Sequence, residues 1–271
     1  MSFLVLMVIG LLTGLTTVLF GFGGGFVTVP VIVWVDAALG SAATEVAVAT
    51  SAVVMVVNAA AATSATSRTT LVHLRSAVRL IVLLGCGGAL GAGLARIVPP
   101  HLTTWGFVAY LVIAIADVLL RPGFLRRPAM VDGPRREFAI SPVWGVPIGA
   151  TASFLGVGGS VMTVPLLRRS GQPMNVATAL ANPLTLAISV PALAVFLVSA
   201  SAAVEGDQYF VGAVDFRSAA ALLIGALPVV IWLRRRPPRL PDTVHAWAYV
   251  GLLVVSALAM VLSPGAFQSA T

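Results

Sequence analysis

The chain has 271 residues, of which 59% are hydrophobic and 9% charged, with 26 Gly, 17 Pro and a formal net charge of +7. Soluble domains carry about a quarter charged residues, and a mean hydropathy of +1.03 places most of this chain in lipid, which excludes a soluble enzyme and leaves no length for a separate catalytic domain. All the basic residues are Arg, in short clusters between apolar runs, a pattern of cytoplasmic loop charge and lipid contact and not of a nucleic-acid surface.

Apolar segments fall at about 3–20, 26–35, 44–64, 76–95, 102–120, 140–155, 160–167, 174–200, 217–233 and 244–263. They lack the period-2 alternation of barrel strands, so helices are expected, and ~20 residues per span allows roughly eight to ten crossings. The first has no basic stretch before it and reads as a retained span. Segments 26–35 and 160–167 are too short to cross a ~30 Å core at 1.5 Å per residue. They are expected as short helices that reach the interior, completed by non-helical backbone, which lipid tolerates only inside protein or beside a water-filled cavity. Cys86 stands alone, without a disulfide framework or a cysteine metal site. The polar stretch 121–141 divides the chain into a first repeat, 1–120, a cytoplasmic linker, 121–141, and a second repeat, 142–271.

Each half opens the same way. Gly21-Phe-Gly-Gly-Gly-Phe-Val-Thr-Val-Pro30 returns as Gly156-Val-Gly-Gly-Ser-Val-Met-Thr-Val-Pro165, at a constant offset of 135 residues. Leu74-Arg75-Ser76-Ala77 is echoed by Phe216-Arg217-Ser218-Ala219, and Pro99-Pro100 by Pro237-Pro238. The Arg positions choose between parallel and inverted copies. If the chain reverses at each Gly-rich segment, with the amino terminus outside and nominally five crossings per half, every Arg except Arg96 and Arg217 faces the cytoplasm, and Glu205, Asp207 and Asp215 face out. A non-reversing path splits the Arg almost evenly, so the positive-inside rule favours inversion. The expected fold is an all-α integral membrane helical bundle of two inverted-topology repeats with Gly-rich broken or re-entrant segments.

Gly23, Gly24 and Gly25, like Gly158 and Gly159, leave no side chain between backbone amides and a ligand. A short helix starting after such a turn aims unsatisfied N–H groups and its positive dipole end at the gap. Pro30 and Pro165 are expected to limit or kink each short helix. Two such elements from inverted halves would form a small donor-rich anion pocket. Close helix packing alone is the alternative use of the glycines, but duplication of the whole decapeptide favours a site.

The paired G-x-G-G-G-x-x-x-V-P and G-x-G-G-S-x-x-x-V-P segments resemble those of the sulfite exporter TauE/SafE family of membrane permeases, over essentially the whole chain. The resemblance implies export of small sulfur oxyanions or sulfonates, such as sulfite and sulfoacetate, from a multi-pass protein of the cell (inner) membrane. It carries over onto Gly21, Gly23, Gly24, Gly25 and Pro30, and onto Gly156, Gly158, Gly159 and Pro165. Two departures point to an asymmetric pocket: Ser160 stands in place of the last Gly, and Ala49-Thr50-Ser51 becomes Ala179-Leu180-Ala181-Asn182 in the second half.

Thr28, Thr163, Thr50, Ser51 and Thr185 are candidate donors to an oxyanion, with back-bonding to a helix carbonyl as their default. Asn58 and Asn182 are stronger, because an amide in hydrocarbon needs several partners, and Asn182-Pro183 is expected to break its helix. Glu45 and Asp117, near span ends, are expected to snorkel to the interface. His73, His101 and His245 lie near span ends, and none shares a layer with Ser160. No cofactor or metal is expected, and there is no nucleotide-binding motif, so transport would be secondary or channel-like. The alternatives are an anion channel and a membrane hydrolase using Ser160. Expected partners are the anion, membrane lipid and a second copy in a homodimer.

Overall fold

The computed structural model describes residues 3–40, 42–125, 140–198, 209–236, 238 and 240–263. Arg126, Arg127, Arg135, Arg136, Glu205, Asp207, Pro237 and Arg239, part of the sequence reading, lie outside the described residues. The helices are α1 (Phe3–Phe20), α2 (Gly25–Val35), α3 (Ala42–Ser64), a single turn α4 (Arg68–Leu71) that leads into α5 (Val78–Ile97), α6 (Pro100–Leu120), α7 (Gly145–Phe154), α8 (Ser160–Arg169), α9 (Met174–Val198), α10 (Phe216–Arg235) and α11 (Asp242–Val261). A minimal antiparallel hairpin of β1 (Phe210–Val211) and β2 (Val214–Asp215) precedes α10. Seven helical stretches among the described residues are long and apolar enough to cross a membrane, and α2, α7 and α8 are short. The protein is thus an all-α, multi-pass membrane protein. Its outer faces carry large exposed apolar side chains, among them Leu4, Val8, Ile113, Leu120 and Val255, as a lipid-facing surface requires.

The structure corrects two expectations about boundaries. Segment 140–155 is not a full span: a 3-10 turn (Pro142–Trp144) precedes a ten-residue α7. Pro30 and Pro165 lie inside short helices whose ends, Val35 and Arg169, fall at or near the expected limits of 35 and 167. Asn182-Pro183 does not break α9, which runs unbroken through Pro183 and Pro191. Proline forfeits one ladder hydrogen bond, and in a membrane bundle surrounding helices hold the path. Ala187, whose carbonyl Pro191 frees, faces Gly85 of α5, where an added methyl would lie 3.2 Å from that oxygen.

The long helices meet through glycine contacts. Methyls at Gly10 and Gly14 of α1 would strike the backbone of Leu222 and Ala226 at 2.2 and 2.5 Å, so α1 and α10 run parallel, backbone against backbone. Gly87 and Gly91 of α5 meet Val146 and Ala150 of α7 in the same manner, also in parallel. Small residues permit this approach where lipid supplies no hydrophobic drive for association. The first helix after each half's start therefore packs on a late helix of the other half, and the halves interlock.

The two ends of the bundle differ in charge. Thr104, near the start of α6, meets Thr44 of α3, whereas Asp117, near its other end, pairs with Arg169 of α8. At 1.5 Å per residue these ends are about 30 Å apart. Following the helix directions, Arg68, Arg75, Arg79, Arg121, Arg168, Arg169, Arg234, Arg235 and Arg236 gather at the Asp117 end. Asp36, Glu45, Asp215, Arg96 and Arg217 gather at the Thr44 end.

Candidate functional site: two facing glycine turns

The Gly-rich segments fold as tight turns between α1 and α2 and between α7 and α8. Gly24 caps α2 at φ +93° and Gly158 precedes α8 at φ +70°, left-handed geometry that a side chain would strain. The turns touch. A methyl on Gly25 would lie 2.7 Å from the Gly156 carbonyl oxygen and 2.4 Å from Met55 Sδ, and one on Gly158 would lie 3.2 Å from the Phe22 carbonyl oxygen. From this junction α2 runs toward Asp36 and α8 toward Arg168, at opposite ends of the bundle. The positive ends of two short helices therefore meet inside the protein. Neither has a side-chain cap, and the first N–H groups of a helix have no acceptor within it.

The surrounding contacts are reciprocal. Gly21 faces Thr178 and Ala181 of α9, and Gly156 faces Val48 and Ser51 of α3. Met55 of α3 and Thr185 of α9 stand at both Gly23 and Gly158. Gly24 faces Asn58 of α3, and Gly159 faces Ile188 of α9. Each turn thus rests on its own half's next long helix and on that of the other half. The matched positions carry unlike chemistry: Asn58 opposes Ile188, Ser51 opposes Ala181, and Thr185 opposes Met55.

The structure sorts the sequence candidates. Gly23, Gly24, Gly25, Gly158, Gly159, Asn58, Ser160 and Thr185 come together at the junction. Both amide atoms of Asn58, Ser160 Oγ, Thr163 Oγ1 and Asn182 Oδ1 are buried without hydrogen-bond partners among the described residues. An unpaired buried polar group costs ~1–3 kcal/mol, so these atoms form a concentration of unused hydrogen-bonding capacity around the turns. Asn182 Nδ2 donates to the Thr178 carbonyl at 3.2 Å. Other candidates serve the fold. Thr28 donates to the Gly24 carbonyl (2.9 Å), and Ser51 donates toward the Val48 (2.7 Å) and Gly156 (3.1 Å) carbonyls, tying α3 to the second turn. Thr50 Oγ1 accepts from the Asp215 amide at 3.0 Å, at the acidic end and away from the turns. Pro30 and Pro165 lie inside α2 and α8, one turn beyond the junction.

Sequence reasoning passed over Met55, an apolar residue with no polar signal, and the anchor of α8. Arg168, 1% exposed, donates from Nε to the Phe124 carbonyl at 2.9 Å and makes a two-point ion pair with Asp242, which also accepts from the Met174 amide. Beside it Arg169 pairs with Asp117 at 2.7 Å. Asp117, expected to snorkel freely, is therefore held by Arg169 and by Arg121. An Arg directly after the repeated motif, with an acid opening the last span, was the available clue. At the opposite end Asp36 follows α2. Burial, and then Asp215, push its carboxyl up to about 7, while the amino terminus pulls the other way.

The family model for the sulfite exporter TauE/SafE matches residues 6–260. The chain belongs to the sulfite exporter TauE/SafE family. It is accordingly a membrane permease and not an enzyme, and the hydrolase reading of Ser160 is set aside. No curated protein and no solved structure gives a significant match.

Proposed function

We propose that this TauE/SafE-family permease is a secondary transporter of the cell membrane that exports a small sulfur oxyanion or sulfonate, sulfite or sulfoacetate being representative. It works by alternating access around an anion site at the two glycine turns. The observation that carries this reading is the junction itself, where two uncapped helix N-termini meet beside unpartnered Asn58, Ser160 and Thr163. Such donors hold an anion through dipoles without a buried counter-charge, which suits a cargo that must be released on the other side.

Alternating access needs two halves that can exchange roles. Two repeats, 1–120 and 142–271, joined by the 121–141 linker and inverted relative to each other, satisfy it. The parallel pairing of α1 with α10 and of α7 with α5, the reciprocal turn contacts and the gathering of Arg at one end all favour that arrangement. The Asp117 end is then cytoplasmic.

Uptake of labelled sulfite, sulfate and sulfoacetate into proteoliposomes, with and without a proton gradient, tests the reading. Saturable, exchangeable flux of sulfite or sulfoacetate is expected. Non-saturating current would make the protein a channel, and absence of flux for every anion would overturn the proposal. Topology is checked with single cysteines at positions 206 and 238 in a Cys86→Ser background, which should label from opposite sides.

A further inference from the structure

A cavity lies beside the glycine junction, separate from the turns themselves. It has a volume of about 200 Å³ and opens between the start of α3, the end of α5 and the start of α6, with Thr44, Glu45, Arg96 and Thr103 as its polar lining. At ~30 Å³ per water it has room for a small oxyanion with part of its hydration shell. Glu45 in a first turn and Arg96 in a last turn could each simply complement a helix dipole. Two observations say more. The two charges share one cavity yet form no ion pair within 4.0 Å among the described residues. Arg96 is also one of only two described Arg at the acidic end, where the positive-inside bias disfavours Arg.

The cavity also leads to the junction. Val48 lines it, and the Val48 Cα lies 3.2 Å from where a methyl on Gly156 would stand. Ser51, the next residue along that face of α3, donates to the Gly156 carbonyl. Val48 thus stands between the cavity and the second glycine turn, lining one and packing on the other.

We infer that this cavity is the outward vestibule of the anion path, where Arg96 holds a small oxyanion between the Thr44 and Thr103 hydroxyls and ionised Glu45 opposes it. The inference rests on the anion-transport reading of the junction. Protonation of Glu45 and occupancy by the anion then favour one another, and the coupling is reciprocal. Arg96 is the charged group facing Glu45; the rest of the lining from α3, α5 and α6 is hydroxyl, aliphatic or proline. Asp36 and Asp215, beyond α2 and ahead of α10, face each other at the same end of the bundle.

The test is calorimetric binding of sulfate, whose charge is constant from mildly acidic to neutral pH, to the detergent-purified full chain. Wild-type binding should tighten as pH falls. Arg96→Gln should weaken it by roughly tenfold and Arg96→Lys should restore most of the loss. Glu45→Gln should tighten it by roughly tenfold and remove the pH dependence. Arg96 is exposed, so its variants should fold, and a single size-exclusion peak checks this. Absence of sulfate binding by the wild type, or binding unchanged in Arg96→Gln and Glu45→Gln, overturns the vestibule. Arg96-dependent binding in a protein that moves no anion in proteoliposomes would instead overturn the transport reading, and with it the vestibule role, and leave only the Arg96 anion site standing. Transport with an external KM unaltered by Arg96→Gln would do the reverse.

Discussion

The two glycine turns share a motif but not an environment. Around the first, Phe22 stacks on Phe26 at 4.7 Å between ring centroids and lies 5.2 Å from Tyr249. The matching positions at the second are Val157 and Val161. Thr28 in α2 is spent on the Gly24 carbonyl, whereas Thr163, its counterpart in α8, has no partner and sits with unpaired Ser160. α2 ends in an acid under no ion pair among the described residues, while α8 ends in two Arg that are both latched. The same motif thus folds as two different turns: an aromatic-packed turn with a soft end, and a turn rich in unpartnered hydroxyls whose far end is bolted to α6 and α11. The bolted end lies on the Arg-rich side; under the proposed alternating-access cycle, opening at that end would have to break these pairs.

The largest effect should come from that latch. Asp242→Asn strands the Arg168 guanidinium, whose side chain is fully buried. Breaking such a pair costs about 3 kcal/mol or more, so thermal unfolding in detergent should drop by several degrees and a single cysteine introduced beside Phe124, in a Cys86→Ser background, should become more reactive. Asp117→Asn breaks a partly exposed pair and should cost ~1 kcal/mol or less. Equal losses from the two variants would show that the pairs are not ranked by burial.

The turns themselves are compared by Gly25→Ala and Gly159→Ala. At Gly25 the new methyl meets the Gly156 carbonyl oxygen, which belongs to the backbone and cannot step aside. Overpacking of ~1–3 kcal/mol, if felt in full by the transport step, converts to roughly fivefold to a hundredfold or more at 1.36 kcal/mol per decade. At Gly159 the obstacle is Ile188 Cδ1, the free end of a flexible side chain, and the loss should stay within about threefold. Proteoliposome flux measures both, and a reversed order would mean that the second turn is the tighter one.

Asn58→Leu removes an amide that is buried and unpaired. The protein should gain up to ~1–3 kcal/mol in stability and lose most of its transport, a split that a purely structural Asn could not produce. Ser160→Ala should be milder in both respects, since neighbouring donors remain.

Much of this was legible in the sequence. The helical class follows from hydropathy, and the duplicated decapeptide marks the centre because only a Gly-rich, non-helical backbone repeats so closely in both halves. The continuity of α9 through Pro183 and Pro191 was not legible, because the packing that preserves a proline-bearing helix comes from α3 and α5, distant in sequence. Nor was the sorting of hydroxyls: Thr28 and Thr163 occupy identical motif positions, and only the surroundings decide which is back-bonded. The Arg168–Asp242 pair joins residues from separate helices; an Arg after the second motif and an acid opening the last span hint at it, but no local pattern pairs the two.

The smallest effect concerns the soft end of α2. The Asp36 carboxyl lies at about 7 in the folded protein against 3.8 for the free group. Between those values the native state keeps a proton that the unfolded chain has released, so the stability that Asp36 contributes is greatest below 3.8 and declines as pH rises toward 7. Asp36→Asn should flatten this part of the pH profile of thermal stability. Asp215→Asn separates the two causes, because Asn still caps α10 where Asp215 Oδ1 now accepts from the Arg217 and Ser218 amides. Burial is the larger cause and Asp215 the second, so this variant should shift the upper edge of the decline to lower pH without abolishing it. A profile in Asp215→Asn as flat as in Asp36→Asn would reverse that ranking and make the carboxylate pair, not burial, what sets the two ends of the bundle apart.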